Sequence, residues 1–146
     1  MSKSVANRGK SAEKKVRDYL KKVDERLLNW DFERLSDARS AGGRGAKIVV
    51  GDYAIFNPAF HGVIEVKEIA HDYRIPAANI TQLPKLRKRA LAGGHCYVLV
   101  LHTTTGKWRR ILATDLELRN TGSWDLRPYP EYDSLEDALP ITLLGG

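Results

Sequence analysis

The side chains best placed to do chemistry in this sequence are Asp52, Glu65, Lys67 and, further upstream, Glu13. In Gly62-Val-Ile-Glu-Val-Lys-Glu68 apolar and polar residues alternate, which is the period of a β-strand. Glu65 and Lys67 then share one face, while Ile64 and Val66 point the other way, into a core. Asp52 lies thirteen positions before Glu65, behind Gly51, on a preceding strand. A turn near Asn57–Phe60 makes the two strands neighbours and gathers two carboxylates and an ammonium at one strand end. Two carboxylates can hold a hard divalent cation such as magnesium, which takes oxygen ligands and keeps waters for substrate phosphates. Such a cation lowers the pKa of a bound water and neutralises charge on a departing oxygen. A lysine beside it can position the water or stabilise the charged transition state. Phosphodiester hydrolysis matches this grouping. A solvated strand face is the competing interpretation, because Glu-x-Lys triplets are common on strands.

The elements that must position these residues can be read from periodicity. Ala12, Val16, Tyr19, Leu20, Val23 and Leu27 form one apolar face of a helix over about Ser11–Leu28, with Glu13 at the margin of that stripe. A strand around Glu33–Asp37 follows, then the glycine-rich loop Ser40-Ala-Gly-Gly-Arg-Gly-Ala46. Strands over Ile48–Phe56 and Gly62–Glu68 are joined at Asn57-Pro58. His71–Ala78 reads as loop. A second helix runs from Ile80 to Leu91, capped by Asn79 or Thr81, with Pro84 in its first turn and Gly93-Gly94 as its stop. Cys96–His102 and Lys107–Ala113 form a hairpin across Thr103–Gly106. Ser134-x-x-Asp137 marks a short capped helix, preceded by irregular chain at Pro128 and Pro130. The order of helices and strands is that of a mixed α/β domain.

Composition narrows the classes further. The 146 residues are 42% hydrophobic and 29% charged, which is ordinary for a folded chain and unlike global disorder. The net charge of +6 is unevenly placed. Residues 1–112 carry 22 basic and 11 acidic side chains, and residues 113–146 carry 2 and 7. A basic body suits a polyanion partner, and the acidic tail is expected to pack on the body or on a partner subunit. No apolar run can span a bilayer and no signal-peptide stretch is visible, so a cytoplasmic protein without a membrane partner is expected. Cys96 is the only cysteine, which excludes an intramolecular disulfide and a cysteine-based zinc site and marks it as a buried filler. His61, His71, His95 and His102 lack metal-ligand spacing. Trp30, Trp108 and Trp124 read as core anchors. No phosphate-binding Gly-x-x-x-x-Gly-Lys-Ser/Thr loop is present.

The series Gly51-Asp52, then Glu65-Val66-Lys67, resembles the PD-(D/E)xK nuclease motif, with Gly in the place of its usual Pro. Within that superfamily the chain resembles the Holliday-junction resolvases, specifically the bacterial RecU type. Asn7-Arg8-Gly9 followed by Glu13 is similar to that family's opening signature and helical acidic residue. Ile75-Pro76 to Asn79, Gln82-Leu83, and Gly94-His-Cys-Tyr-Val-Leu-Val100 resemble the segment after its active site. The likeness covers about residues 7–112, leaving 113–146 as an added tail of a single nuclease domain over 1–146. The interval before Asp52 is too short for the stalk-like insertion of the bacterial enzymes. The compact layout also resembles the archaeal resolvases and would suit a phage-type version.

This resemblance implies a restriction-endonuclease-like fold, a mixed β-sheet flanked by helices. It further implies magnesium, with manganese as a substitute, held by Asp52, Glu65 and Glu13. Lys67 would serve catalysis, and Gln82 would orient a water or a phosphate. The implied substrate is branched DNA, a four-way junction cut on opposed strands, and the implied assembly is a homodimer, since one small domain has room for one site. Arg8, Lys10, Ser40, Arg44, Lys47, Lys85, Lys88 and Arg89 are the expected DNA contacts, with further basic residues at Arg87, Lys107, Arg109 and Arg110. Two other readings stay open: a nuclease of the same superfamily acting as a nicking or restriction-type enzyme, and a non-catalytic architectural DNA-binding protein.

Overall fold

The computed structural model describes residues 10–35, 51–58, 60–70 and 72–144. The expected contacts Arg8, Ser40, Arg44 and Lys47, the glycine-rich loop and His71 lie outside the described residues, as does the side chain of Lys10.

The chain opens with helix α1 (Lys10–Arg26) and the short strand β1 (Asp31–Arg34). β2 (Tyr53–Asn57) and β3 (Phe60–Ile69) follow as a hairpin turning at Pro58. The third segment holds β4 (Arg74–Pro76), a single 3-10 turn at Ala77–Asn79 and helix α2 (Leu83–Leu91). A second hairpin, β5 (His95–His102) and β6 (Lys107–Leu112), leads to β7 (Ser123–Asp125), β8 (Glu131–Tyr132) and helix α3 (Leu135–Ala138).

Six strands form one sheet in the order β1-β2-β3-β5-β6-β8, while β4 and β7 pair separately. β3 and β5 are parallel, and the other described pairs are antiparallel. A parallel pair needs a long crossover, and the crossover here carries α2 across one face of the sheet. That face is packed by Ile75, Leu83, Leu86, Val98, Val100, Ile111, Trp124 and Leu126. On the opposite face α1 and α3 pack against Tyr53, Ile55, Ile64, Val66, Tyr97, Leu99 and Leu101 through Ala12, Val16, Leu20, Ala138 and Leu139.

The six-residue stripe expected on α1 faces this core, with Leu27 only partly covered. All three tryptophans and Cys96 are buried. α2 ends as expected: Gly93 takes φ 101°, and the Gly93 and Gly94 amides donate to Ala90 and Arg89 carbonyls. It starts later than expected, at Leu83, with Gln82 in the cap position and no side-chain cap bond. Asn79 instead belongs to the 3-10 turn. Ser134 caps α3 by accepting from the Asp137 amide.

The stretch expected to be loop, His71–Ala78, contains β4, whose partner β7 lies some fifty residues downstream. Ile75 and Trp124 face each other in that pair and are both buried. A three-residue strand stabilised by so distant a partner leaves almost no local periodicity. The last described residues tie into the body as well. The Leu144 carbonyl accepts from Trp30 Nε1 and Asn57 Nδ2, and the Leu139 carbonyl accepts from the Tyr19 hydroxyl.

Candidate active site

Asp52 sits one residue before β2, and its placement follows from the ladder around it. Its amide donates to the Ile64 carbonyl at 2.8 Å, and its own carbonyl accepts from the Leu35 amide at 2.8 Å. The backbone is therefore fixed from both sides, by β3 and by the chain leaving β1. Past this point the chain turns away at Gly51, with φ 84°. A β-carbon at Gly51 would fall 2.1 Å from Val63 Cγ1. Proline, which locks φ near −65°, could not adopt this conformation, and a side chain here would meet Val63, so glycine is the residue that fits. The strand that would have satisfied the Val66 amide has ended, so the Asp52 carboxylate takes over, accepting that amide at 2.6 Å.

Tyr53 pairs with Ile64, so Asp52 lies opposite Glu65, on the same face. Glu65 is buried, and its Oε1 stands 3.1 Å from Lys67 Nζ. Glu13 approaches from α1, on the other side of the sheet. Its backbone carbonyl accepts from the Tyr53 hydroxyl at 3.2 Å, and Arg34 lies 3.6 Å from its Oε2. The neighbouring Ala12 amide donates to Glu68 Oε1 at 3.2 Å, so a side chain of β3 caps the first turn of the helix that carries Glu13. Asp52 and Glu65 thus meet at one strand end, and Glu13 comes beside Asp52 from α1.

The electrostatic consequence falls on Asp52. Burial pushes its pKa up to about 8, the nearby charge of Glu65 adds to the rise, and a side-chain hydrogen bond with Glu13 adds further. The Val66 amide opposes this. A carboxyl in this state binds a proton at neutral pH unless another cation replaces it. Among the described residues no three carboxylate, histidine or cysteine groups are gathered closely enough to coordinate one ion. A cation here would take two carboxylates directly and complete its shell with waters and substrate oxygens, as magnesium commonly does. The donor chemistry of Asp52 and Glu65 fits that ion, and Glu13 stands beside them.

Gln82 is half-buried at the start of α2, on the sheet face that carries Glu65, and makes no hydrogen bond to the carboxylates. Lys85, Lys88 and Arg89 are exposed on α2. Other basic residues expected to meet DNA are engaged inside the molecule. Arg87 donates from NH1 to the carbonyls of Thr114 and Leu116 at 2.8 and 2.6 Å. Arg110 donates to the Ala138 carbonyl at 2.6 Å and lies over the rings of Tyr97 and Tyr132. Arg109, with 6% of its side chain exposed, donates to His102 Nε2, to Glu131 and to the Tyr129 carbonyl. Lys107 pairs with Glu131 and Asp133. The reason is the same in each case: the acceptors belong to the last third of the chain or to the sheet itself, which sequence spacing does not bring near.

Sequence spacing did not reveal that Arg34 and Tyr53 hold Glu13 or that Glu68 caps α1. The only available signal was the polar edge of the motif strand, where Glu68 follows Lys67. A larger hollow of about 460 Å3 lies at the turn end of the β2–β3 hairpin, lined by Trp30, Phe56, Asn57 and His61 among others. It is about five residues, roughly 16 Å of strand, from the carboxylates and has no part in their chemistry.

No helix among the described residues is long and apolar enough to cross a membrane. No protein-family profile matches the chain, and no curated protein matches it in sequence. Among solved structures it is similar to Hjc, a Holliday junction resolvase from the archaeal hyperthermophile Archaeoglobus fulgidus, at 1.6 Å resolution. The likeness covers 82% of this chain and 88% of that one, with a TM-score of 0.54 and 19% identity. At this identity the likeness is one of fold: the chain has the restriction-endonuclease-like architecture, a mixed sheet flanked by helices.

Proposed function

We propose that this chain is a metal-dependent DNA endonuclease that resolves four-way junctions by hydrolysing phosphodiesters on opposed strands. The observation that carries this reading is the placement of Asp52 opposite Glu65 at one strand end, beside Lys67 and with Glu13 near, where burial and the charge of Glu65 raise the Asp52 pKa. The fold shared with an archaeal resolvase supports it.

Asp52 and Glu65 would hold magnesium or manganese, with Glu13 completing the acidic set. When bound, the ion supplies a water of lowered pKa and neutralises charge on the phosphate. The protein's own groups do the rest. The Val66 amide and the two backbone bonds at Asp52 keep its carboxylate aimed at one point. Lys67, held by Glu65, donates a hydrogen bond to a non-bridging phosphate oxygen or to the attacking water. The water oxygen bonds to phosphorus as one ester P–O bond breaks, leaving a phosphate monoester and a hydroxyl.

Cutting opposed strands with one site per chain calls for a two-fold dimer. Lys85, Lys88 and Arg89 on α2, with Arg8, Lys10, Ser40, Arg44 and Lys47, would contact the phosphate backbone, and Gln82 would orient a water or phosphate. Activity on cellular DNA puts the protein in the cytoplasm of a bacterial or virus-infected cell. The ordered motif series is what suggests a RecU-type resolvase.

The test is cleavage of a synthetic four-way junction in magnesium, set against linear duplex with the same arm sequences. The expected result is cleavage of the junction by the wild type and none by Asp52→Asn or Glu65→Gln. Retained cleavage in either variant removes the assigned site. Preference for linear duplex moves the assignment to a nicking or restriction-type nuclease. Metal-independent DNA binding without cleavage under any divalent ion leaves an architectural protein.

A further inference from the structure

Beside the carboxylates lies a second, smaller pocket of about 310 Å3, lined by Glu13, Lys14, Arg17, Arg34 and Tyr53. That size falls at the lower end of small-ligand sites, which span about 300–1,000 Å3. Its walls are α1 and the register-paired residues Arg34 and Tyr53 of β1 and β2. Three cations face a single carboxylate there, so the pocket carries a surplus of positive charge.

The internal partners do not account for that surplus. Lys14 is committed to Asp18 at 2.9 Å. Arg34 shares a hydrogen bond with the Tyr53 hydroxyl and approaches Glu13 at 3.6 Å, which leaves part of its guanidinium fork open. Arg17 is the clearest case. Its Nε atom is buried and has no hydrogen-bond partner, and the nearest acid, Asp18, stands 4.0 Å away. Buried donors without acceptors are rare in folded proteins, and each asks for a missing partner. The remainder of each guanidinium is open to the pocket, the Arg17 and Arg34 side chains being 42% and 51% exposed, and an anion that offers several oxygens, as a phosphate does, suits two such groups. Glu13 belongs both to this pocket and to the carboxylate cluster, so an anion here sits next to the reacting phosphate.

We infer that Arg17 and Arg34 form a phosphate subsite that holds the DNA backbone at a phosphate neighbouring the scissile one. This rests on the nuclease reading above and adds to it two residues which the motif does not contain. A strand gripped there is fixed in register against Asp52 and Glu65 from the α1 side. The α2 lysines and Arg89 stand on the other side of the sheet. The subsite therefore contributes to binding and strand placement, while the reacting groups remain Asp52, Glu65 and Lys67.

The probe is a fluorescein-labelled synthetic four-way junction, titrated by anisotropy in EDTA so that no cleavage occurs, over a range of salt concentrations. Arg17→Gln and Arg34→Gln are each expected to weaken binding about tenfold and to lower the salt slope by about one. Lys21→Gln, on the exposed side of the same helix, is expected to change affinity less than about twofold. A junction with one methylphosphonate next to the cleavage site should lose affinity for the wild type, with no further loss in the double variant. Both arginine side chains are 40–50% exposed or slightly more, and matching thermal melts verify that the variants fold. Unchanged affinity and slope in the arginine variants would overturn the subsite. An equal loss in Lys21→Gln would also overturn it, by showing only a general basic field. Loss of the dimer in sedimentation with DNA binding intact would assign the pocket to a carboxylate of the second copy instead. Because binding is read without cleavage, arginine-dependent binding by a protein that cuts no DNA sustains the subsite and removes the nuclease reading.

Discussion

Two polar clusters share one face of the central sheet, and they are built on opposite principles. Glu65 and Lys67 lie on β3, and Lys67 is in register with Val100 of β5 and then Arg109 of β6. The second cluster, Arg109 with His102, Tyr129 and Glu131, is therefore only two strand spacings away, about 10 Å. In the Arg109 cluster donors and acceptors match: the guanidinium meets an imidazole nitrogen, a backbone carbonyl and a carboxylate, and Tyr73 covers it with its ring. In the Asp52 cluster carboxylates of like charge are brought together, which with burial raises the Asp52 pKa. A buried charge network whose members satisfy one another serves the fold. One left with an excess of a single sign does not balance itself, and that contrast sets the two clusters apart better than burial does.

Substitution in the two clusters should give opposite results. Asp52→Asn is expected to lower junction cleavage by about a thousandfold or more, the scale of losing several kcal/mol of transition-state stabilisation, without loss of folding. Arg109→Gln is expected to cost about 3 kcal/mol of stability by removing the donor to His102 and to the Tyr129 carbonyl and one of the two cations paired with Glu131. Its cleavage rate per folded molecule should stay within about threefold of wild type. Denaturant melts and single-turnover cleavage on the same preparations check both. A loss of activity in Arg109→Gln at full stability would erase the distinction.

The pH dependence separates them next. Asp52 has a pKa raised to about 8 in the fold against 3.8 for the free side chain, so the folded chain binds the extra proton between those values. Stability of the cation-free protein contributed by that proton is full below the lower value and falls as pH rises towards about 8. Asp52→Asn should remove this fall between about pH 4 and pH 8 and raise Tm at pH 8–9 by at least the ~5 °C that a 1–2 kcal/mol relief gives. His102 is shifted the other way. Burial, and then Arg109, lower its pKa, so the fold favours neutral imidazole. Its contribution is complete above the unfolded value and is lost as pH falls below it. His102→Gln should flatten the acid limb of the Tm profile and leave the alkaline limb alone.

The smallest effect concerns the link between the two sheet faces. Glu68→Ala removes the cap that joins β3 to α1 and should cost about 1 kcal/mol, with a several-fold loss of cleavage as Glu13 loosens. Glu68→Gln keeps an acceptor for the Ala12 amide and should recover most of both. Differential scanning fluorimetry and metal titration of cleavage read the two quantities separately.

The candidate site was legible in the sequence because strand alternation is local: Glu65 and Lys67 on one side, Ile64 and Val66 on the other, with Asp52 opposite by register. Glu13 could be read for the same reason, as a polar residue at the edge of an apolar helical stripe. Arg87, Arg109 and Arg110 were not legible as internal groups. Their acceptors, Leu116, Tyr129 and Ala138, lie 20 to 29 residues away, and nothing in a run of basic residues tells a solvated arginine from one that ties a tail to the sheet. The β4–β7 pair failed for a related reason, since its register rests on one buried Ile75–Trp124 contact between segments that each look irregular alone.

The central claim is that Asp52 and Glu65 converge because they share a cation. Manganese soaked into crystals of the protein, with diffraction recorded at the manganese absorption edge, tests it most directly. The account predicts an anomalous peak between the Asp52 and Glu65 carboxylates that disappears in Asp52→Asn. Absence of that peak under conditions where the wild type cleaves DNA, or a peak bound by other residues, would contradict it.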